Sequence, residues 1–432
     1  MFRMTKRNSI IAALLLLTAA AQAQEQKSRL QLADEAYQLE QYAVAGPLYK
    51  ELTDKGKKLS SGHWLKMAHS FRASGQLQHA AGVYRQLLEQ PGAPASARYA
   101  YAETLQRLGA YDSARAQYQQ YATANADSLQ LRRTALQSCD SAAAWRSQSS
   151  PVNLRPIHSL NTPGSDMVTA VTDKGIVVVS TGYRPEIRET QVPNDKRMRQ
   201  PFYKAYYYEP YSSTNPNLYG EELAPSIFKS FATHIGPVFV NRAGDTLYAT
   251  VTMGRKGAAN GVRDLQLWQS VKKGGKWAPL TLLPGINLAG YSAGHAVVNN
   301  AGDVLYFMSD RPGGLGQTDI WYSEKQADGN WGEPKNCGRF VNTIAAEGFP
   351  SMHEGVLYFS SKGHPGLGGY DVYRATGARE NWSAPQNLKA PFSSPGDDVS
   401  FVLKPDGSGG YLSSDKAGGM GSDDVYRFEG KR

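Results

Sequence analysis

Residues 305–322 read Leu305-Tyr306-Phe307-Met308-Ser309-Asp310-Arg311-Pro312-Gly313-Gly314-Leu315-Gly316-Gln317-Thr318-Asp319-Ile320-Trp321-Tyr322. A similar pattern returns at residues 357–373 and at residues 410–426, and Gly316, Gly368 and Gly421 lie 52 and 53 residues apart. An aspartate follows each of these glycines, at Asp319, Asp371 and Asp424. A period of about 50 residues with several short strands in each unit is typical of propeller blades. We therefore predict a β-propeller.

Turn glycines give the number of blades. Five of them follow short polar runs and precede strand-like segments, namely Gly175, Gly244, Gly302, Gly355 and Gly407. The fifth unit has no outer strand of its own, because the sequence ends soon after residues 425–428. Residues 151–160 resemble the segment that leads to residues 340–343. We predict that they complete the fifth blade as a latch strand, which pairs the exposed edges and closes the ring.

The segment before the propeller predicts helical hairpins. Four residues, Ala68, Gly75, Ala80 and Tyr84, recur 34 residues later as Ala102, Gly109, Ala114 and Tyr118. This period, with small residues where helices cross, resembles the tetratricopeptide repeat. We place three repeats at about residues 28–57, 62–91 and 95–125, and a closing helix at residues 129–145. The resemblance implies a concave face that binds peptides or partner proteins.

The first residues are typical of a secretory signal peptide. Arg3, Lys6 and Arg7 precede an apolar stretch at residues 10–21, and Ala21-Gln22-Ala23 matches a cleavage site. We expect an exported, periplasmic protein that starts near Gln24. The predicted order is a signal peptide at 1–23, a tetratricopeptide-type α-solenoid at 24–146, a linker at 147–151, and a five-bladed β-propeller at 152–432. The fold class is α + β multidomain.

Composition limits the classes of function and cofactor. The formal net charge of +9 is small for 432 residues, so it does not require nucleic acid, although it favours an anionic partner in the envelope. The two cysteines, Cys139 and Cys337, fall in different predicted domains, which argues against a structural disulfide and a cysteine metal site. Beyond the leader we expect no direct insertion into a membrane, and we expect no cofactor.

The blades resemble a known family of bacterial propellers. The phrase Ser309-Asp310-Arg311-Pro312-Gly313-Gly314 with Asp319-Ile320 is similar to WD40-like repeats of the TolB or PD40 type, which occur in periplasmic proteins. Leader, helical repeats and propeller together resemble the N-terminal part of the PorE-like subunit of the type IX secretion system of Bacteroidetes. Those proteins continue into a carboxypeptidase-regulatory-like domain and an OmpA-like domain. Neither follows here, so direct anchoring to peptidoglycan is not expected.

Polar residues near the starts of the inner strands are candidates for the mouth of the central channel. Alignment of the blades on their turn glycines selects Asp166, His234, His295, Glu347, Asp397 and Asp398. Five-bladed propellers that cleave glycosides use carboxylates at such positions. Polar groups are also common there without catalysis, and no pattern selects three of these residues as a catalytic set. No catalytic residue is therefore assigned.

The glycine-rich loops suggest a second alternative. Gly418-Gly419-Met420-Gly421-Ser422-Asp423 matches the GGxGxD unit of calcium-binding β-rolls, and Asp415, Asp423 and Asp424 are the best calcium candidates. That unit repeats every nine residues in a β-roll, but here it recurs after 52 or 53 residues. We favour a structural interpretation, in which each closing aspartate accepts hydrogen bonds from amides of its own loop. No metal is assigned.

A long insertion at about residues 184–231, between the first and second blades, is the candidate partner-binding segment. It combines tyrosines with basic residues, and both types are enriched at binding hot spots. The candidates are Tyr203, Tyr206, Tyr207, Tyr208, Tyr211, Arg184, Arg197 and Arg199. Part of the insertion, at residues 202–208, is predicted to be the third strand of the first blade.

These observations predict a non-enzymatic periplasmic scaffold or adaptor associated with the outer membrane. The resemblance implies partners among outer-membrane or secretion-machinery proteins. The first alternative is a propeller that binds a glycan or a peptidoglycan fragment at its channel. The second is a five-bladed propeller glycosidase.

Overall fold

A computed structural model describes residues 27–147, 152–182, 194–209, 220–231, 233–254 and 263–430. The predicted leader at residues 1–23 lies outside these ranges, as do Arg184 and Tyr211. Among the residues described, no helix combines the length and the hydrophobicity that crossing a bilayer requires.

Seven helices form an array of antiparallel hairpins. They are α1 (Arg29–Gln38), α2 (Tyr42–Asp54), α3 (Ser61–Ala73), α4 (Leu77–Leu88), α5 (Ala95–Arg107), α6 (Tyr111–Gln120) and α7 (Ala126–Ser147). Small residues lie where the helices cross, and Ala68, Ala80, Ala102 and Ala114 have no exposed surface. Gly75 and Gly109 adopt φ values of 77° and 73° in the turns between paired helices, a conformation that costs glycine little. The helical hairpins therefore follow the 34-residue period.

The propeller consists of five antiparallel sheets, and each sheet has four or five strands. The first blade contains β2 (Asp166–Thr172), β3 (Gly175–Ser180), β6 (Lys204–Tyr208) and β7 (Gly220–Glu222), and the second contains β8 (Ile235–Val240), β9 (Thr246–Gly254), β10 (Arg263–Lys273), β11 (Lys276–Trp277) and β12 (Thr281–Leu282). The third contains β13 (Ala293–Val298), β14 (Val304–Ser309), β15 (Asp319–Glu324) and β16 (Lys335–Asn336). The fourth contains β17 (Glu347–His353), β18 (Val356–Ser361), β19 (Asp371–Ala378), β20 (Asn381–Trp382) and β21 (Gln386–Asn387).

The fifth blade joins the two ends of the propeller sequence. Its strands are β22 (Asp398–Leu403), β23 (Gly409–Ser414), β24 (Asp424–Glu429) and β1 (Arg155–Pro156). Strand β1 pairs antiparallel with β24, and Arg155 lies opposite Arg427. The predicted latch strand is confirmed. A hairpin of β4 (Asn194–Asp195) and β5 (Gln200–Pro201), and the short helix α8 (Pro225–Phe228), belong to the insertion between the first two blades.

Tryptophans in the outer parts of two blades connect neighbouring blades. Trp331 of the third blade packs edge-to-face on Tyr248 of the second, with ring centroids 6.3 Å apart. Trp382 of the fourth blade packs in the same way on Tyr306 of the third, at 5.8 Å. Both tryptophans are buried. Because a tryptophan buries a large apolar area, each of these contacts stabilises the junction between two sheets.

The helical array docks on the propeller through the turns between its paired helices. The first turn meets the β4–β5 hairpin, where the Ala43 amide donates to the Arg197 carbonyl at 3.1 Å. The second turn, at Gly75, lies against Met198 of the same hairpin, and the third, at Gly109, lies against Pro395. One edge of the array therefore contacts the face of the propeller on which the inner strands begin.

Candidate functional site

Three of the predicted channel-mouth carboxylates are held inside their own blades. Glu347 accepts a hydrogen bond from the Thr343 amide at 2.8 Å, and from the hydroxyls of Thr343 and Ser361 at 2.8 and 2.6 Å. Asp166 has the same arrangement with Thr162 and Ser180, and Asp398 has it with Ser394 and Ser414. All three carboxylates have no exposed surface.

This arrangement corrects the position predicted for Asp166, Glu347 and Asp398. They lie at the starts of inner strands, as expected, but each connects the loop before its strand to the end of the next strand. Burial raises the pKa of Glu347 to about 7, although hydrogen bonds from Ser361 and Thr343 act in the opposite direction. Each of these groups holds two parts of its own blade together, and none of them has surface exposed at the channel mouth.

The closing aspartates of the glycine-rich loops have the predicted structural role. Asp371 accepts hydrogen bonds from the amides of Leu367 and Gly368, at 2.9 and 3.1 Å. Asp319 accepts from Leu315 and Gly316, and Asp424 accepts from Met420 and Gly421. The interpretation that these carboxylates bind amides of their own loops is confirmed.

The three calcium candidates point to different partners. Asp424 binds the loop amides, the Asp423 carboxylate accepts from the Ser165 hydroxyl, and the Asp415 carboxylate faces Arg107 at 2.8 Å. In the part of the chain that the structure describes, no group of three or more acidic, histidine or cysteine side chains is arranged to hold a metal ion. The geometry therefore gives the calcium alternative no support.

Side chains from all five inner strands surround a small space at the centre of the propeller. His295 lies on the inner strand β13 and packs against Phe349, with ring centroids 4.1 Å apart. Burial lowers the pKa of His295 to about 4. The remaining space, about 20 Å³, is bordered by Thr169, Phe239, Ser351 and Ser400, among others. A cavity of this size accommodates about one water molecule.

His234 connects the insertion to the ring of inner strands. Its Nδ1 accepts from the Tyr203 amide at 3.1 Å, and its Nε2 lies 3.5 Å from the Asp195 carboxylate. The Tyr203 hydroxyl in turn donates to Ser165 at 2.5 Å. Both ring nitrogens of His234 are thus occupied by the β4–β5 hairpin and by residues next to it.

The insertion residues proposed for partner binding divide into two groups. Tyr206 and Tyr208 are buried core residues of β6, while Tyr203 and Tyr207 pack against the core between the first two blades. Arg197 lies 3.4 Å from Glu40 and 5.6 Å above the Tyr42 ring, so it binds the helical array. Arg199 has a φ of 64° in the turn of the hairpin.

One arginine of the helical array binds two carboxylates of the propeller. The Nη2 atom of Arg107, at the end of α5, donates to Asp397 at 2.7 Å and to Asp415 at 2.8 Å. Lys362 lies 3.4 Å from the other oxygen of Asp397. These side chains are largely buried, since 16% of Arg107 and 22% of Asp397 are exposed. A charge-assisted contact of this kind fixes the third turn of the array on the propeller.

The same group of charges separates the pKa values of neighbouring carboxylates. Burial alone would raise the pKa of Asp397, but Lys362 and Arg107 lower it to about 2. Burial and the charge of Asp397 raise the pKa of Asp415. Burial raises the pKa of Asp423 to about 7, with further contributions from Asp415 and Asp397. The ionised carboxylate of Asp397 thus lies close enough to the protonatable carboxyl group of Asp423 to influence its pKa.

A cleft of about 110 Å³ lies between the helical array and the propeller. Helices α3 and α5 contribute Arg72, Tyr99 and Glu103, and α7 contributes Leu131, Thr134 and Ser138. The loop that follows β18 contributes Lys362, His364 and three glycines. The Gly366 amide donates to Ser138 at 3.1 Å, and Arg72 pairs with Glu103 at 2.8 Å. The cleft therefore has polar walls from both parts of the protein.

Sequence reasoning missed Arg107 and Lys362. The repeat alignment contained a signal for the lysine, because Lys362 follows Ser361 where Asp310 follows Ser309 and Asp415 follows Ser414. A lysine at a position otherwise occupied by aspartate indicates a changed electrostatic environment. Arg107 lies in a helical repeat, and its propeller partners are about 300 residues away. No local pattern could pair them.

No protein-family model matches this chain, and no curated protein matches it either. Solved propeller structures are similar to it. The RS223 β-xylosidase has 11% identity and a TM-score of 0.38, over 64% of this chain and 94% of that chain. The α-L-arabinofuranosidase of Lactobacillus brevis has 11% identity and a TM-score of 0.39, over 63% of this chain and 92% of that chain. An exo-1,5-α-L-arabinanase from a bovine ruminal metagenomic library has 10% identity and a TM-score of 0.33, over 62% of this chain and 94% of that chain.

These similarities correct one expectation. The prediction that the protein is not an enzyme is contradicted, because the similar structures include several glycosidases. At these identities the likeness concerns the fold alone, and at these TM-scores it supports no particular activity. The plain finding is an array of helical hairpins fixed on a five-bladed propeller, with a polar cleft between them.

Proposed function

We propose that this protein is an adaptor that binds a segment of a partner protein in the cleft between the helical array and the propeller. The observation that supports this proposal most is the cleft itself, whose walls come from α3, α5, α7 and the loop after β18. The array docks on the propeller by the edge that carries its turns, and Arg107 and Ser138 add contacts from helices that line the cleft.

The chemistry of the cleft suits a polar segment of a polypeptide. Arg72 and Lys362 supply donors, Glu103 supplies an acceptor, and Tyr99 supplies an aromatic surface. The guanidinium of Arg107 has a buried Nε–H group that no described residue accepts from. An unpaired buried donor of this kind costs about 1–3 kcal/mol.

The proposed setting is the periplasm, next to the outer membrane of a Bacteroidetes-type cell. It rests on the leader-like N-terminus and on the resemblance of helical repeats and blades to the tetratricopeptide, WD40-like and PorE-like proteins. A component of type IX secretion or of a related envelope complex is the proposed partner. The net charge of +9 favours a partner with an acidic surface.

An affinity capture with a blocked cleft tests the adaptor proposal. Thr134→Trp on α7 would fill the cleft with a large side chain, whereas Arg133→Trp places the same side chain on the exposed side of that helix. We expect the wild-type chain and Arg133→Trp to recover the same envelope protein from cross-linked cells. Thr134→Trp should lose it. Equal recovery by both variants would reject the cleft as the binding site.

Glycan cleavage is the second candidate function, and the separated pKa values of two electrostatically coupled carboxyl groups favour it. Asp397 has a pKa of about 2 and Asp423 a pKa of about 7, and a pair with separated pKa values is typical of acid–base catalysis. The test is hydrolysis of a panel of chromogenic glycosides by the wild-type chain and by Asp423→Asn. Turnover that the variant loses would support this function, and no turnover on any glycoside would count against it.

A further inference from the structure

Every inner strand of the propeller has a register shift at a similar place. The shifts occur in β2, β8, β13, β17 and β22, and residues from all five border the small space at the centre of the propeller. In four of these strands a residue at the shift has a positive φ, between 51° and 134°: Gly236, His295, Phe349 and Ser400. Three of these residues are not glycine, so the conformation is costly for them.

Residues at and beside these shifts connect neighbouring blades by hydrogen bonds. Hydroxyl groups make three of the connections, which join the first blade to the second, the fourth to the fifth, and the fifth to the first. In each of them the hydroxyl donates to a backbone carbonyl of the adjoining blade: Thr169 to Val238, Ser351 to Phe401, and Ser400 to Val168.

His295 makes the two remaining connections. Its amide donates to the Thr250 hydroxyl of the second blade at 2.9 Å. Its Nδ1 lies 3.3 Å from the Phe349 amide nitrogen of the fourth blade. Because a backbone amide can only donate, Nδ1 accepts this bond and carries no proton. The five connections thus form a closed ring, in which the side chain of His295 titrates and the other bonding side chains are hydroxyls.

Protonation of His295 would remove its bond to Phe349. An imidazolium has an N–H group on each nitrogen, so two donors would then face each other. Burial lowers the pKa of His295 from 6.5 to about 4, which means that the closed ring favours the neutral imidazole. The connection therefore has its full stability above pH 6.5 and loses stability as the pH falls towards 4.

No neighbouring charge in the described part of the chain offsets this effect, since burial accounts for the lowered pKa of His295. The titratable groups on adjoining elements have other partners. Three carboxylates bind inside their own blades, a fourth binds the Ser292 amide, a histidine at the start of β8 binds the β4–β5 hairpin, and a tyrosine ring packs on Phe349. They are Asp166, Glu347, Asp398, Asp310, His234 and Tyr370.

We propose that this ring of hydrogen bonds is a pH-sensitive closure of the propeller, and that acidification opens it between the third and fourth blades. The Phe349 ring, whose centroid lies 4.1 Å from that of His295, separates from the imidazole in the open form. The junction between the first and second blades depends on a hydroxyl and stays closed. This device does not rest on the adaptor function, because it concerns the axis of the propeller and not the cleft.

Hydrogen exchange of the full chain, followed by mass spectrometry at pH 8 and pH 5, tests this proposal. The test variant is His295→Asn, because asparagine has a side-chain acceptor, tolerates a positive φ and does not titrate. The control is His158→Asn, which makes the same change at an exposed histidine of the propeller. Each exchange rate is divided by that of an unstructured peptide at the same pH.

At pH 5, β13 and β17 should open roughly 30-fold more often in the wild type than in His295→Asn, relative to the same ratio at pH 8. This factor follows from a pKa of 6.5 in the open form and about 4 in the closed form. Comparison at equal pH removes the contribution of Glu347 and the other buried carboxylates. His158→Asn should behave like the wild type, and β2 should stay equally protected in all three proteins.

An unchanged ratio between wild type and His295→Asn at the two pH values would overturn the proposal. So would a loss of protection that is spread evenly over the five inner strands. If His295→Asn does not fold, the wild type alone decides, because β13 must lose protection relative to β2 as the pH falls. Equal protection of these two strands at pH 5 would reject the closure.

Discussion

At the scale of single residues, Arg107 sets the relation between the two parts of the protein. Its guanidinium extends from the helical array to the propeller and donates hydrogen bonds to both Asp397 and Asp415. The three groups depend on one another. Without the arginine, two carboxylates would remain close together in a largely buried place, with Lys362 3.4 Å from one of them.

Arg107→Ala should therefore lower the free energy of unfolding by about 2–3 kcal/mol, less than a fully buried ion pair would cost because these groups are partly exposed. Asp415→Asn in the same chain should restore part of the loss, because it removes the carboxylate repulsion. The control is Arg98→Ala, since Arg98 binds only glutamines of the array in the bonds described. Urea denaturation measures all three, and equal losses for Arg107→Ala and Arg98→Ala would contradict this role.

Glu347 gives a prediction about pH. Its pKa in the folded protein is about 7, above the ordinary value of 4.5. Folding therefore favours the protonated form, and the associated stability is complete below pH 4.5 and is lost as the pH rises through about 7. Glu347→Gln imitates the protonated form, so the variant should lose less stability than the wild type between pH 5 and pH 8.

Between pH 5 and pH 8, the wild type should lose at most about 3 kcal/mol more free energy of unfolding than Glu347→Gln does. One pKa unit corresponds to about 1.4 kcal/mol. Denaturant unfolding at both pH values measures it. Glu333→Gln, at an exposed glutamate of the same propeller, is the control. If both variants kept the pH dependence of the wild type, the buried position of Glu347 would not govern it.

At the scale of elements, the fifth blade is the point where the ring closes. The side chain of Asn161 accepts from the Val425 amide at 2.7 Å and donates to the Val425 carbonyl at 3.2 Å. Asn342 makes the same two bonds with Ile320. The fifth blade therefore contains the same asparagine–backbone interaction as the third blade, but its two partners are 264 residues apart in sequence.

Asn161→Ala should lower the free energy of unfolding by about 1–3 kcal/mol, because it removes the side-chain acceptor of the buried Val425 amide, while the Ile157 amide still donates to the Val425 carbonyl. Asn330→Ala is the comparison, since the Asn330 side chain binds an exposed aspartate in a surface turn, and its effect should stay within about 0.5 kcal/mol. Thermal unfolding reports both. A ring that tolerates Asn161→Ala as well as Asn330→Ala would not depend on this closure.

Sequence periodicity was sufficient to predict the elements but not the site. The glycines and aspartates near 316, 368 and 421 gave the blades, because each unit repeats the same turn and the same amide-binding carboxylate. The likeness of residues 151–160 to the segment before Thr343 gave the latch. Alignment also located the starts of the inner strands, but it could not show that Asp166, Glu347 and Asp398 turn into their blades, since side-chain direction depends on local partners.

At the scale of the whole molecule, the array and the propeller are docked on one another through several contacts. Contacts at three successive turns, the Arg107 ion pairs and the bond between Ser138 and Gly366 fix their relation. These contacts join residues that are far apart in sequence, which is why no period or motif predicted them. The cleft exists only because the two parts are docked.

The most direct test of the account is site-specific photo-cross-linking in living cells. A photoreactive amino acid replaces Thr134, inside the cleft, or Arg133, on the exposed side of the same helix. We expect one envelope protein to be captured strongly from position 134 and weakly or not at all from position 133. Its cross-linked peptide should contain a polar stretch. Capture of the same proteins in equal amounts from both positions would contradict the claim that the cleft is the binding site.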